Sequence, residues 1–515
     1  MLAEAPALLL RADAGPGIGS GHVARMLALA EAWIDAGGRA TLLTVAPSKP
    51  LAVRAGALGV FVRRIPASFP NSADLTELLA AIAAEKGEKP WVAVDGYGFD
   101  AAYLRAARDA GAHLLMVDDV PRLDDYPVDV LLNQNAGAEK AAYPLSSGIL
   151  PLMGPRWALL RPDFAKKDSG RKVRAEASKL LVSFGGADSD DASGLAIKAL
   201  KRLKRRFEAV LVVGPDNPRG AELERSSIGT TIRVEKAANM PALMADADLA
   251  LLGGGVTMLE ACAAGLPSLV ATVAANQEPG AAALAERGAV RLLGAAASLS
   301  EEMIAAELEV LMSDRSAAEA LACNGLDAVD GRGAARVAAI LLALAAPRMT
   351  KDWVRMRSAD RQDSREIWRI ANDRDVRDNS LDKRPIPWVS HEEWFSDRLS
   401  DSKEFLFVAD VGCVAGHFRL SAISPSALEV HFYVHPAFRG RGLGTLLLTK
   451  AQEIAFSQNC IDEVVGNVLP GNISSIKAFT ASGFSCSCAA APAGHPCLEF
   501  RSVRKTAVPD DRRQA

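Results

Sequence analysis

The sequence predicts an α/β chain in which a pair of doubly wound halves is followed by an α+β domain. Three observations carry this. From residue 7 to about residue 346, short apolar strands alternate with longer alanine-rich amphipathic stretches, the pattern of βαβ units on a parallel sheet. Near the middle, "RPDFAKKDSGRKVRAEAS" breaks the pattern with charge, proline and glycine, which sets a hinge between halves at 1–160 and 175–346. After "LLALAAPRMTKDW" tryptophan and charge rise and the repeated βα rhythm stops, so a third domain is expected over 351–505, with a polar tail at 506–515.

In chain order the strands expected in the two halves are "ALLLRAD", "ATLLTV", "WVAVDG", "HLLMVDD", "DVLLNQ", "LLVSFGG", "EAVLVVG", "LALLGGG" and "SLVATV". Their near-continuous apolar character suits strands covered on both faces. A length of 515 residues, 49% of them hydrophobic, suffices for several cores. A net charge of -3 with interspersed signs argues against nucleic acid or an anionic membrane as partner and in favour of a small molecule. Seven scattered cysteines read as reduced thiols, and neither a secretory pattern nor a membrane span is visible, so a cytoplasmic location is expected.

The stretch "ALLLRADAGPGIGSGHVARMLALA" joins a strand to a helix through a glycine-rich turn. Such a turn presents backbone N–H groups and the positive end of a helix dipole to one spot, which suits a diphosphate. Asp13, Gly19, Gly21 and Arg25 are the expected substrate-binding residues here, with His22 at the helix start. Helix N-termini disfavour an imidazolium, so a histidine there is suited to accepting a proton as general base. The alternative is a histidine that only caps the helix or binds phosphate passively.

A second turn, "LLGGGVTMLEA", places Gly253, Gly254 and Gly255 before Thr257, with Glu260 one turn into the helix, within reach of a ribose hydroxyl. The segment "AANQEP" follows at the end of the next strand. The alternative is a turn that only allows close packing of helix on strand.

Together "RADAGPGIGSGHVARMLALA", "VDGYG", "LLNQN", "GPRWALLRPDF", "LVSFGGAD", "GGGVTMLEA" and "NQ" resemble the UDP-sugar hydrolase family of pseudaminic acid biosynthesis, relatives of the GT-B glycosyltransferases. The resemblance implies a GT-B-like pair of Rossmann-type halves. It implies that His22 activates water, that Tyr97 and Asn276 stand at the substrate beside Gln277, and that the glycine turn and Glu260 hold uridine diphosphate. Implied too is release of UDP from a 2,4-diacetamido-2,4,6-trideoxy altrose without a metal. Val256 departs from the family, which usually has a small hydroxyl residue after the glycines, leaving Thr257 to supply the side-chain hydroxyl.

In the third domain, "LEVHFYVHPAFRGRGLGTLLLTKA" alternates like a strand, with Glu429, His431 and Tyr433 on one face. A turn then follows whose N–H groups can wrap a pyrophosphate. Strand, V-x-P, R-x-x-G-x-G and helix, with "GNISSIKAFTASGF" beyond, resemble the GNAT acetyltransferases over about 353–503. The resemblance implies acetyl-coenzyme A held by Val434, Arg439, Gly440, Gly442, Gly444, Thr445 and Asn472. Phe479 stands where many relatives carry a tyrosine acid, so no acid is assigned. Glu429 and His431 are the base candidates, the alternative being that both only line a solvated sheet face; Trp388, His391 and Trp394 mark the expected acceptor region, the alternative being tryptophans used for packing. Cys486, Cys488, His495 and Cys497 fall on a terminal hairpin, and no metal is expected.

The two resemblances imply a bifunctional enzyme that acetylates the 4-amino group of a UDP-linked amino sugar and then hydrolyses the product. The alternatives are a glycosyltransferase fused to an unrelated acetyltransferase, and a nucleotide-sugar binding module in which only the acetyltransferase turns over.

Overall fold

The structure, a computed structural model, describes residues 6–15, 18–165, 171, 173–174, 176–185, 188, 191–214, 217–236, 238–490 and 496–504. Gly17, His495, the side chain of Cys488 and the tail at 506–515 lie outside the described residues, as does part of the expected hinge. The chain divides into two compact units, residues 3–338 and 339–515, at a point inside the helix Gly333–Ala345 and a few residues before Pro347.

The first unit holds two sheets. Strands β1 (Ala7–Ala12), β2 (Arg39–Thr44), β3 (Phe61–Arg64), β4 (Trp91–Asp95), β5 (His113–Val117), β6 (Val130–Asn133) and β7 (Leu150–Met153) run parallel in the order β3-β2-β1-β4-β5-β6-β7. Strands β8 (Lys179–Ser183), β9 (Glu208–Val213), β10 (Ile232–Lys236), β11 (Leu249–Leu252), β12 (Ser268–Thr272) and β13 (Arg291–Ala295) repeat it as β10-β9-β8-β11-β12-β13. Both are the doubly wound Rossmann order, in which the winding reverses between the first and fourth strands and a crevice opens outside their carboxyl ends.

Burial explains the strand sequences. Every residue of β1, β4 and β12 is buried, so apolar side chains serve on both faces. Arg11 is the exception inside β1. Its guanidinium is fully buried and is matched by Asp74, which also accepts from the Tyr103 hydroxyl at 2.7 Å. A buried charge without such a partner is strongly unfavourable.

The second unit carries one sheet, β14 (Arg355–Ser358), β15 (Glu404–Asp410), β16 (Val414–Ser424), β17 (Ala427–Val434), β18 (Glu463–Val468), β19 (Ser485–Ala490) and β20 (Cys497–Val503), in the order β14-β15-β16-β17-β18-β20-β19. All neighbours are antiparallel except β17 and β18. That parallel pair is matched only from Ala427↔Glu463 to Glu429↔Val465, after which the two strands part while both continue. The backbone of β17 beyond Glu429 therefore faces β18 without a ladder.

Candidate functional site

In the first sheet the reversal lies between β1 and β4, whose ends are aligned by the pairing Ala12↔Asp95. Gly19, in the left-handed region at φ 77°, closes a tight turn by pairing with Gly15, and the helix Gly21–Asp35 starts immediately after. That helix has no acidic residue in its first turn and no side-chain cap, so its N-terminus is open to an anion. His22, the second helical residue, thus stands at the mouth of the crevice.

The His22 Nδ1 atom lies 2.7 Å from Asp95 Oδ1 and 3.2 Å from Arg25 Nη2. Asp95 is held far below the usual carboxylate range: burial pushes it up, but Arg25 and His22 outweigh burial. An ionised carboxylate only accepts, and an arginine only donates. The shorter contact therefore assigns a proton to Nδ1, donating to Asp95, and leaves Nε2 as the ring nitrogen outside that pair.

Arg25 is buried and spends its guanidinium inside the protein. It donates from Nη2 to Asp95 Oδ1 at 2.6 Å and from Nη1 to Asp119 Oδ1 at 2.9 Å. Expected from the sequence to bind substrate, it acts here as the clamp between two strand-end carboxylates. Asp13 is used similarly: its carboxylate accepts from Arg11 at 2.6 Å, from the Val45 amide at 2.9 Å and from Ser68 Oγ at 2.9 Å, bracing neighbouring strand ends.

Tyr97, half-exposed, packs its ring edge-on to His22 with centroids 5.3 Å apart. Its hydroxyl donates to Asp119 Oδ2 at 2.9 Å and accepts from Asn276 Nδ2 at 2.8 Å. Burial and the Asp119 charge both raise its pKa, so the phenol stays protonated. His22, Tyr97 and Asn276 are thereby drawn together from three distant stretches of chain, and Asp119 also accepts from Asn135 Nδ2 at 3.0 Å.

Asn276 and Gln277 lie in the short turn Ala275–Gln277 after β12. Gln277 Oε1 accepts from the amides of Gly254 and Val273, each at 3.0 Å. Gln277 is therefore a brace for the glycine turn, and Asn276 beside it carries the link to Tyr97. The Gly253 amide donates to Ser183 O at 2.9 Å, tying the turn to β8. Gly255 then caps the helix Val256–Ala263, which has no side-chain cap and no acid in its first turn, and Thr257 sits in that turn. The helix after β8, Ala192–Lys201, is the opposite case, because Asp188 and Asp191 carboxylates accept from its first amides. An anion at the second sheet is thus directed to the Val256 end. Glu260 faces Arg161 at 3.8 Å, and burial pushes its carboxyl up to about 7 against the pull of Arg161 and Arg54.

In the second unit Gly440 and Gly442 occupy the left-handed region at φ 74° and 80°, and Gly442 caps the helix Leu443–Ser457, whose first turn includes Gly444 and Thr445. Only glycine adopts that conformation without strain. The turn follows Val434 and the short Pro436–Phe438 helix. Arg439, expected at the cofactor, pairs with Asp373 at 2.5 Å and Asp375 at 2.7 Å. Asn472 serves as the N-cap of the helix Ile473–Ala481, accepting from Ser475 N at 3.1 Å. Phe479 is buried, stacked on Phe500 with centroids 4.9 Å apart. Glu429 accepts from Asn467 Nδ2 at 2.9 Å and pairs with His431 Nε2 at 3.2 Å. His391 is buried and bound to Ser364 O at 3.0 Å, while Trp394 lies under the Arg419 guanidinium. Among the described residues no cluster of three or more His, Cys, Asp or Glu is placed to hold a metal, and no helix is long and apolar enough to cross a membrane.

The fold and these sites define a two-part class: tandem Rossmann-type halves joined to an acetyltransferase-type sheet. Residues 356–484 match the Acetyltransferase (GNAT) family, so the second unit carries a GNAT acetyltransferase domain. Over 192 residues the chain is 27% identical to the spore coat polysaccharide biosynthesis protein SpsG of Bacillus subtilis (strain 168), covering 36% of this chain. The match spans 57% of that relative, little more than half its length. The solved structure of S. aureus MnaA with UDP is 14% identical at a TM-score of 0.48, covering 65% of this chain and 96% of that one. Spermidine N-acetyltransferase from Vibrio cholerae with CoA and spermine is 16% identical at a TM-score of 0.28, covering 30% and 96%.

Asp95, Asp119, Asn135 and Asn467 were missed as individual site residues. Asp95 and Asp119 had a signal: each is an acid at the carboxyl end of an apolar strand, in "WVAVDG" and "MVDD". Asn135 closes the motif "LLNQN" without a role of its own being implied, and nothing in the spacing of Asn467 marks it.

Proposed function

We propose that the chain performs two consecutive reactions on a nucleotide-linked amino sugar. The second unit transfers acetyl from acetyl-coenzyme A to the 4-amino group of a UDP-4-amino-4,6-dideoxy-N-acetyl-altrosamine. The first unit then hydrolyses the bond between C1 and the phosphate oxygen, giving UDP and 2,4-diacetamido-2,4,6-trideoxy altrose. One observation carries the hydrolytic half: Asn276 and Gln277, adjacent in sequence, tie Tyr97 beside His22 and the Gly254 amide of the glycine turn into one constellation.

The chemistry assigned to it follows from the groups present. His22 Nε2 takes a proton from water as that water attacks C1, and Asp95 holds the resulting imidazolium in place. Charge collects on the departing diphosphate, where the amides opening the helices Gly21–Asp35 and Val256–Ala263 suit it. Glu260 is assigned to the ribose hydroxyls. In the acetyltransferase, the turn from Arg439 to Thr445 is assigned to the coenzyme pyrophosphate through its backbone amides. The unladdered edge of β17 beyond Glu429 offers backbone groups to the amides of the pantetheine arm.

The test uses UDP-2,4-diacetamido-2,4,6-trideoxy altrose and follows UDP by chromatography. The wild type is expected to release UDP without any sugar acceptor, and His22→Asn to lose at least ~100-fold in rate. UDP release that appears only on adding an acceptor would make the first unit a glycosyltransferase. No effect of His22→Asn would remove His22 from the chemistry.

A further inference from the structure

Resting on the acetyl-transfer reading above, we infer that His431 is the base that deprotonates the acceptor amine, and that Glu429, held by Asn467, is a positioning residue that fixes which ring nitrogen is available. The three side chains meet at the point where β17 and β18 part. Glu429 and Val465 form the last matched pair of that ladder. Asn467, on the departing strand, donates from Nδ2 to Glu429 Oε1 at 2.9 Å, and Glu429 Oε2 lies 3.2 Å from His431 Nε2. Both carboxylate oxygens are thus engaged, and the imidazole is engaged through one nitrogen.

An ionised carboxylate accepts only, so Nε2, the ring nitrogen that faces it, carries the proton in the base form of His431 and Nδ1 is that form's lone pair. Glu429 itself is a poor base. Its hydrogen bond with His431 is the largest influence on it, and together with Asn467 and Arg419 it holds the carboxyl down to about 2 against partial burial. The Asn467 Oδ1 atom is buried without a hydrogen-bond partner at the same point, an acceptor suited to an N–H of the incoming amine.

The ionisable groups around His431 come from every packed element. On its own strand they are Glu429 and Tyr433, and β16 brings Arg419 directly opposite and His417 two pairs along, opposite Tyr433. Glu404 on β15 stands 3.8 Å from Arg419. The helix Trp388–Ser400 brings His391, while Arg369, Asp373 and Arg439 gather further along at His435.

The step balances as follows. The substrate ammonium gives one proton to His431 Nδ1, and the amine nitrogen attacks the thioester carbonyl carbon. The C–S bond breaks as the new C–N bond is completed. The second nitrogen proton is balanced by protonation of coenzyme A thiolate to the thiol, and His431 returns its proton to solvent. Net, ammonium and acetyl-coenzyme A give amide, free thiol and one proton.

The test is the pH dependence of kcat/KM for acetylation of the UDP-linked 4-amino sugar by the full chain, with nitrogen-15 NMR of the seven histidines. The wild-type profile is expected to fall on the acid side as an imidazole protonates. His431→Gln should lose at least ~100-fold with KM for acetyl-coenzyme A unchanged and no imidazole limb remaining. Glu429→Gln should lose about 10-fold in kcat, keep that limb, and change the His431 signal from the Nε2–H tautomer to a mixture. A wild-type profile flat through the neutral range, with Glu429→Gln inactive and His431→Gln active, overturns the inference and makes Glu429 the base. If the wild type fails to acetylate the amino sugar, the substrate reading falls. The inference is then judged by the NMR tautomer alone, and a wild-type His431 not in the Nε2–H form overturns it.

Discussion

At the scale of the residue, Asp95 decides the site: its Oδ1 meets both His22 Nδ1 and Arg25 Nη2, and its Oδ2 accepts from Arg25 Nε. Removing its charge leaves the imidazole unoriented and Arg25 with Asp119 alone. Asp95→Asn is therefore expected to slow UDP release by at least ~100-fold and to cost about 3 kcal/mol of stability, read by chromatography and by denaturant unfolding. Folded Asp95 sits below its unfolded value, so its stabilisation is complete above about pH 4. It is lost as the pH falls toward the folded value, and Asp95→Asn should flatten that acid limb of stability. Glu260 works in the other direction, since burial raises its carboxyl to about 7. As a carboxylate it is the better acceptor for ribose hydroxyls, so UDP should bind more tightly at pH 8 than at pH 6. Calorimetry of Glu260→Gln should remove the part of that difference that does not come from the diphosphate.

Residue identity was only partly legible in the sequence. His22, Tyr97 and Asn276 follow from a family resemblance, whereas the uses of Arg25, Asp13 and Gln277 as braces depend in part on partners 94, 32 and 23 residues away. Motif spacing carries no information about such partners. A polar residue in a glycine turn is as able to hold the turn as to hold a ligand.

At the scale of the element, the strands read from the sequence are the interior ones. The four that escaped, β3, β7, β10 and β13, are the four edges of the two sheets. Interior strands are covered on both faces and must be apolar throughout, as in β4. Edges such as "FVRR" and "IRVEK" are half-exposed and carry charge, which also protects them from pairing with another chain. The glycine turn of the acetyltransferase was readable because its backbone demands glycine. Gly442→Ala, at φ 80°, is expected to cost about 1–2 kcal/mol locally. It should raise KM for acetyl-coenzyme A while leaving UDP release from the diacetamido substrate unchanged. Phe479 shows the limit of matching by position. Its ring lies against Gly466 within the aromatic cluster of Phe432, Phe484 and Phe500. Phe479→Tyr is therefore expected to bury a hydroxyl at a cost of about 1–3 kcal/mol, measurable as a lowered Tm, with no gain in acetyl transfer.

At the scale of the whole molecule, a tandem Rossmann pair and a GNAT domain lie in one chain. The proposed reactions are ordered by their chemistry, because the amide made by one unit is part of the substrate of the other. The most direct test gives the purified chain the UDP-linked 4-amino altrosamine with and without acetyl-coenzyme A, and follows UDP and the anomeric proton by NMR. No appreciable UDP is expected without acetyl-coenzyme A and, with it, the acetylated UDP-sugar should appear first, followed by UDP and free diacetamido sugar. Acetylation with UDP still attached after complete conversion of the amine would contradict that expectation.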